Sequence, residues 1–264
     1  MKGLINFESI SRRSLKAMGL YYKWLFYKER KNPTAAMLKM RKLYSNFINE
    51  GDLCFDIGAN MGSRVSSFLV LKAKVVAVEP QEICMKELKK TFKDQPVYFE
   101  KKGVGAKEGV EEMFIANNSL ISSFSKSWID VMKVKHQKNN WDKTEQVEIT
   151  TLDLLMDKYG VPEFIKIDTE GYELEVLKGF TRPVKSLSVE YTLPDPQQKT
   201  IACVDILEKI YDQKAIFNIS VEESYELKFP DWISGQQLKQ LITSPDFSTE
   251  KFGGYGDIYV SSGK

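Results

Sequence analysis

The stretch Asp56-Ile57-Gly58-Ala59-Asn60-Met61-Gly62 decides the fold, because it places two glycines between an apolar run and a helical pattern. The apolar run is 53–57, and apolar residues recur at helical spacing over 65–70. Glycine permits a sharp turn and a close approach of the backbone to a ligand, while the first turn of a helix offers unpaired N–H groups. The stretch therefore predicts a strand, a ligand-binding loop and a helix in succession.

The alternation of strand and helix continues along the chain. Four more short apolar runs are each joined to helical patterns, and they lie at 75–78, 97–99, 164–167 and 187–189. Short strands that are buried on both faces and joined by helices are typical of a parallel sheet covered on each side. Two last runs, 215–221 and 257–260, lack a clear crossover and predict an antiparallel pair at one edge. The pattern predicts an α/β fold with a doubly wound, mainly parallel sheet.

The 264 residues fit one domain of ordinary globular composition, but the charge is divided unequally. Residues 1–50 carry 11 Lys and Arg against 3 acids, whereas residues 51–264 carry 27 against 33. We therefore expect a basic, helical N-terminal extension (1–50) before the main domain (51–264). Only six of the 38 basic residues are Arg, whose planar fork suits phosphate, so a nucleic-acid partner is disfavoured.

The basic segment 12–31 also contains Trp, Tyr and Phe. Such a helix suits the surface of an anionic membrane, or it packs its aromatic side on the domain or on a second copy of the chain. Because its apolar stripe is blurred, packing is favoured. The three cysteines are odd in number and far apart, and the sequence has no long apolar run. These features predict a cytoplasmic protein, with peripheral membrane contact and a homo-oligomer left open.

The glycine loop favours one cofactor over another. Asn60 stands where a dinucleotide fingerprint has its second glycine, and Asp56 before the loop repels a pyrophosphate but attracts a cationic amine or sulfonium. S-adenosylmethionine carries both cations, so a nicotinamide-dependent oxidoreductase is the weaker alternative. Glu79, followed by Pro80, ends the second strand and is placed to accept hydrogen bonds from ribose hydroxyls. Val104, between two glycines, offers an apolar wall to the adenine.

Five segments together resemble the FkbM-family methyltransferases, and they are 56–62, 78–80, 122–123, 151–153 and, most specifically, 165–179. The resemblance implies a Rossmann-like class I methyltransferase with a seven-stranded sheet, here with the N-terminal helical extension added. It also implies transfer of a methyl group from S-adenosylmethionine, usually to a hydroxyl of a sugar or natural product. An N-methyltransferase of a small molecule stays open. The cofactor role carries over to Asp56, Gly58, Asn60, Gly62 and Glu79.

The catalytic candidates are acids at the ends of strands. Ligands of open α/β sheets lie beyond the carboxyl ends of the strands, where Asp168 and Glu190 are expected side by side. Glu170 follows in the turn after Asp168. We expect Asp168 to contact the cofactor and to orient or deprotonate the acceptor, with Glu190 or Glu170 assisting. For Glu170, a helix-start acid that complements the helix dipole is an equal alternative.

A rival interpretation treats these acids as ligands of Mg²⁺, because hard cations prefer carboxylate oxygens. The polar segment 124–146 contains Trp128, Trp141 and the only histidine, His136. It is expected to be a lid or substrate loop, in which the tryptophans either stack on a sugar or pack beneath the loop. His136 lies among lysines and is interpreted as a solvated surface residue rather than a base.

Overall fold

The computed structural model describes residues 20–135, 138–192, 197–249 and 251–262. An eight-stranded sheet organises them. Its strands, in chain order, are β1 (Leu53–Ile57), β2 (Lys74–Val78), β3 (Val97–Glu100), β7 (Phe164–Ile167), β8 (Ser186–Thr192), β9 (Ala215–Val221), β10 (Ile233–Ser234) and β11 (Tyr255–Ser262). Their spatial order is β10-β9-β11-β8-β7-β1-β2-β3.

The sheet is mainly parallel, as predicted. Strands β3, β2, β1, β7 and β8 pair in parallel, and the order reverses between β1 and β7. Strand β11 is antiparallel to both neighbours, since it inserts between β8 and β9. The predicted count of seven strands was wrong by one, because the two-residue strand β10 adds an edge. A strand of two residues has too little apolar alternation to be recognised in the sequence.

A second, three-stranded sheet was not predicted. It contains β4 (Gly103–Val104), β5 (Gly109–Ile115) and β6 (Lys143–Thr150) in the order β4-β6-β5. The prediction of a loop over 124–146 was therefore wrong, since this segment holds the helix Lys126–Lys135 and the start of β6. Trp128 and Trp141 are buried among apolar neighbours, so they pack beneath the surface and do not present a ring to a ligand. His136 lies outside the described residues.

Helices cover both faces of the main sheet. Besides Lys126–Lys135, the α-helices of the main domain are Ser63–Val70, Glu82–Phe92, Leu152–Tyr159, Glu173–Lys178, Gln197–Ile210 and Gly235–Thr243. Local caps fix several starts: the Thr151 hydroxyl accepts from the N–H of Leu154, and Ser234 forms a capping box with Gln237. Side chains of this kind satisfy N–H groups that the first turn of a helix leaves unpaired. Within the described ranges, no helix has the length and apolar character needed to cross a bilayer.

The N-terminal extension contributes two helices, Tyr21–Lys31 and Ala35–Tyr44, and both pack on the main domain. Phe26 meets Phe92 edge-on with ring centres 5.0 Å apart. After the second helix, Phe47 stacks on Tyr259 of β11 at 5.2 Å. The extension therefore shares a hydrophobic core with the sheet, as the packing interpretation expects for 20–31. Residues 12–19 of the basic segment lie outside the described residues.

Candidate functional site

A cavity of about 610 Å³ opens at the carboxyl ends of β1, β2, β7 and β8. This volume lies within the range of about 300–1,000 Å³ that is usual for small-molecule sites. The position is the one expected for an open α/β sheet, since the strand order reverses between β1 and β7. Six predicted cofactor residues line the cavity: Gly58, Asn60, Glu79, Pro80, Val104 and Asp168.

The loop after β1 is held in a conformation that glycine makes possible. Gly58 has a φ of +85°, and an added Cβ would overlap the backbone oxygen of Asp168. Asn60 also has a positive φ, 44°, and its side-chain amide donates to the carbonyl of Ser119 at 3.0 Å. The loop therefore lies directly on the end of β7 and is tied to the segment after β5.

Two of the predicted cofactor residues do not line the cavity. Gly62 has a φ of +86°, and an added Cβ would overlap the ring of Phe92, so this glycine serves the turn and its packing on the helix Glu82–Phe92. Asp56 is only 1% exposed and lies beneath the loop, with Oδ2 lacking a hydrogen-bond partner. Burial raises the pKa of Asp56 to about 7, although Arg64 and Lys166 act against the shift.

Glu79 organises the cofactor side of the cavity. Its carboxylate accepts from the N–H of Asn60 at 2.9 Å and from the N–H of Gln81 at 2.7 Å. Burial raises its pKa to about 7, and these two hydrogen bonds oppose the shift. Each carboxylate oxygen has a second lone pair, so the group can still accept from a ribose hydroxyl. Pro80 and Val104 provide apolar surface nearby.

Asp168, Glu170 and Glu190 form the carboxylate cluster of the site. All three line the cavity, and one oxygen from each lies within 4.8 Å of the others. The sequence predicted all three of them as neighbours. Behind them, Lys166 is fully buried, and its Nζ lies 2.8 Å from Asp257 and 3.2 Å from Asp168. Lys166 is thus the counter-ion that fixes Asp168.

The protonation of the cluster is uneven. Burial acts to raise the pKa of Asp168, but Lys166 and Arg64 outweigh it and lower that pKa. Burial and then the charge of Asp168 raise the pKa of Glu190 well above its ordinary value, and the same two causes act on Glu170. Carboxylates this close titrate as a set. Asp168 is therefore the charged member, while the two glutamates hold protons more tightly.

Glu170 and Glu173 lie in different surroundings. Glu173 accepts from the N–H of Thr169 at 2.8 Å and from that of Gly171 at 3.2 Å, so it holds the turn before its helix. Glu170 has a φ of +55° and faces the cavity, and its carbonyl accepts from the Ser123 hydroxyl at 2.6 Å. A non-glycine residue in this conformation is uncommon and is often found at functional sites.

The carboxylate cluster has the donor chemistry of a hard-cation site, since three oxygens lie close enough to share one ion. Lys166 opposes that role, because its ammonium group already neutralises Asp168. A shared proton satisfies the same oxygens. A bound cation and a shared proton are therefore two alternative ways to satisfy the cluster, and they differ in their response to added Mg²⁺.

Sequence reasoning missed four residues that complete the cavity: Tyr22, Arg64, Glu223 and Tyr255. Tyr22 comes from the N-terminal extension, which therefore contributes to the site. Arg64 follows the glycine loop by two residues, so its position in a motif was the one signal available. Glu223 and Tyr255 lie after β9 and at the start of β11, and only the tertiary fold brings them here.

Comparisons with known proteins identify the family. The sequence model of the Methyltransferase FkbM domain matches residues 56–224, which include the glycine loop and the carboxylate cluster. No curated protein matches the chain. S-adenosylmethionine, on which this family depends, fits the lining: the acids suit its cationic groups, and Glu79 suits its ribose.

Several solved structures are similar at low identity. A precorrin-6y C5,15-methyltransferase from Geobacter metallireducens GS-15 is 9% identical over 87% of each chain, with a TM-score of 0.43. A TehB-like methyltransferase from Corynebacterium glutamicum is 10% identical over 94% of this chain and 99% of that one, with a TM-score of 0.42. Fibrillarin from Aeropyrum pernix, with bound S-adenosyl-L-methionine, is 9% identical over 81% and 68%, with a TM-score of 0.39. Likenesses this remote say nothing about the acceptor.

Proposed function

Since the chain belongs to the FkbM methyltransferase family, we propose that this S-adenosylmethionine-dependent enzyme methylates a hydroxyl of a sugar, a glycan or a glycosylated natural product. The observation that carries the proposal is the carboxylate cluster, which faces the cavity beside the cofactor loop. A hydroxyl acceptor must be oriented and must lose its proton, and closely spaced carboxylates can do both.

We assign cofactor contacts to Gly58, Asn60, Glu79, Pro80, Val104 and Asp168. When bound, S-adenosylmethionine supplies an electrophilic methyl group on a cationic sulfur. The chain holds the ribose through Glu79 and lets the cofactor approach the backbone at Gly58. Asp168 contributes negative charge that favours a cationic ligand. Asp56 adds to this field from beneath the loop, at a position without access to the cavity.

Within the cluster, we assign acceptor orientation to Asp168 and proton uptake to Glu170 and Glu190. Lys166 fixes Asp168 and keeps its carboxylate charged, so Asp168 accepts a hydrogen bond from the acceptor hydroxyl. Both glutamates have raised pKa values, so they share one proton between them, and the unprotonated one is a stronger base than Asp168.

The rest of the cavity wall supports a polyhydroxylated acceptor. Tyr22 and Tyr255 provide aromatic surface that can cover the C–H face of a sugar ring. Glu223 provides a carboxylate that can accept from additional hydroxyls. An amine acceptor fits less well, because a cluster of carboxylates stabilises its ammonium form, which has no lone pair for the transfer. The nicotinamide alternative loses its support with the family match.

The compartment and the partners of the protein are also proposed. Cys54, Cys84 and Cys203 are buried, and their odd number and wide spacing along the chain support a reducing compartment such as the cytoplasm. A small-molecule or glycan acceptor is the proposed partner, and nucleic acid is disfavoured by the scarcity of Arg. Membrane contact through 12–31 and homo-oligomerisation stay predictions.

The test is a panel of sugars, lipid-linked glycans and glycosylated polyketides, each incubated with the enzyme and S-adenosylmethionine and examined for methylated product by mass. We expect product from a hydroxyl acceptor, and loss of turnover with retained S-adenosylhomocysteine binding in Asp168→Asn. Near-normal turnover in this variant would contradict the role of Asp168. Product from amine acceptors alone would contradict O-methylation.

A further inference from the structure

Arg64 places a permanent positive charge in the cavity. It lies in the first turn of the helix Ser63–Val70, two residues after the last glycine of the cofactor loop, and it lines the cavity. Its guanidinium carbon lies 5.7 Å from the centre of the Tyr225 ring. An arginine stays protonated at any pH at which the protein is folded, so the charge is always present.

Acids act on this charge without forming an ion pair with it: Asp56, Asp168 and Asp257 lie close enough to interact electrostatically with Arg64. Within the described ranges, Arg64 forms no ion pair, and its Nε is buried without a hydrogen-bond partner. Asp168 and Asp257 pair with Lys166 instead. It is costly to leave a buried donor of a charged group without a hydrogen bond. An anionic group of a ligand that accepts from this donor would therefore contribute favourably to the free energy of binding.

The charge of the whole cavity limits what that anion can be. Two cationic and five acidic side chains line the cavity: Arg64 and Lys102, and Glu79, Asp168, Glu170, Glu190 and Glu223. An acceptor with a net negative charge would meet this excess of acids. A zwitterion avoids the conflict, because it presents an ammonium group to the acids and a carboxylate to Arg64.

We propose that Arg64 binds the α-carboxylate of the methionine moiety of S-adenosylmethionine. The inference rests on the cofactor and the function proposed above, and it adds a binding residue to them. The methionine moiety has the required zwitterionic pair. Arg64 lies beside the cofactor loop in the same cavity as the carboxylate cluster, so the carboxylate of that pair would meet Arg64 and the ammonium group would meet the acids.

The test compares two ligands by calorimetry. S-Adenosylhomocysteine carries the amino-acid carboxylate, whereas 5′-methylthioadenosine keeps the adenosine and the sulfur but lacks it. We expect Arg64→Gln to weaken S-adenosylhomocysteine binding about 10- to 100-fold and to leave 5′-methylthioadenosine binding unchanged, since a hydrogen bond to a charged group contributes about 1.5–3 kcal/mol. Arg64→Lys should recover part of the loss, because it restores the charge but not the fork.

Arg182→Gln is the matched control, because Arg182 is half-exposed and pairs with Asp157 at the surface. It should change neither affinity. Equal binding of S-adenosylhomocysteine by Arg64→Gln and the wild type would overturn the inference. An equal loss for both ligands would also overturn it, because it would show a general disturbance of the site. If Arg64→Gln binds both ligands normally and loses only turnover, Arg64 serves the acceptor instead. A wild-type protein that binds neither ligand would refute the proposed function itself.

Discussion

The cofactor loop and the carboxylate cluster border the same cavity, but different forces hold them in place. The loop (56–62) is fixed by backbone conformation, with positive φ at Gly58 and Asn60 and hydrogen bonds to Glu79 and Ser119. The cluster is fixed by charge, through the buried Lys166. Substitutions that add volume should therefore damage the loop most, while substitutions that remove charge should damage the cluster most.

The largest effect is expected from Lys166→Met, which preserves most of the volume and removes the charge. Asp168 and Asp257 would lose their counter-ion, and removing one partner of a buried pair typically costs about 3–5 kcal/mol. The measurement is the free energy of unfolding in urea. Lys39→Met is the control, because Lys39 and its partner Glu226 are both mostly exposed, so the cost should stay below about 1 kcal/mol. Similar losses in the free energy of unfolding for both variants would contradict the inference that charge holds the cluster in place.

Gly58→Ala tests the other side of the comparison. The new Cβ would overlap the carbonyl oxygen of Asp168 and would also require a left-handed φ, so we expect a loss of about 3 kcal/mol in the free energy of unfolding. Gly109→Ala is the matched control, because no atom lies within 4 Å of the added Cβ. A stable Gly58→Ala protein with normal S-adenosylhomocysteine binding would show that the loop is more adaptable than its backbone implies.

Asp56, which lies beneath the cofactor loop, should make the free energy of unfolding depend on pH. Its pKa rises from the ordinary 3.8 to about 7 in the folded protein, chiefly through burial. A group with a raised folded pKa stabilises fully below its unfolded pKa, and this contribution is lost as the pH rises through the folded value. The wild type should therefore lose stability between pH 5 and pH 8 as Asp56 ionises, and Asp56→Asn should not. The difference between the free energies of unfolding of the variant and the wild type should rise by about 2 kcal/mol over this pH range, in favour of the variant.

Unfolding in urea across this pH range measures the effect. Asp212→Asn is the control, since the side chain of Asp212 is 91% exposed and its removal should not change the pH dependence. If Asp56→Asn and the wild type keep parallel pH profiles, burial does not shift the titration of Asp56.

The contrast between the two regions also explains what the sequence could predict. The loop lies within one short segment, so Gly58, Asn60 and the flanking strand and helix were predictable from local chemistry. Asp168, Glu170 and Glu190 were predictable because the ends of parallel strands meet at one edge. Arg64 was not, because nothing local shows that an arginine in an apolar helical pattern turns towards a cavity.

Two other errors have physical causes. Successive side chains of a strand point to opposite faces, so Asp56 and Ile57 cannot both face the cavity, and the structure places Ile57 there. The strand Lys143–Thr150 was missed because its first four residues are exposed and polar. It is the central strand of the second sheet, but only its last part is buried, and its pattern therefore resembles that of a loop.

The smallest effect is expected from added Mg²⁺. Its size shows whether a metal ion helps to compensate the negative charge of the carboxylate cluster. Lys166 lies 3.2 Å from Asp168, and both glutamates have raised pKa values, so one shared proton and an ammonium group already compensate most of the charge of the cluster. We expect millimolar Mg²⁺ to change the free energy of unfolding by less than about 0.5 kcal/mol, and turnover to survive chelation by EDTA. Glu190→Gln, which removes one candidate ligand, should respond to Mg²⁺ as the wild type does. A large stabilisation that this variant abolishes, together with loss of activity on chelation, would instead identify the cluster as a metal site, held by a cation from solution and not by Lys166 alone.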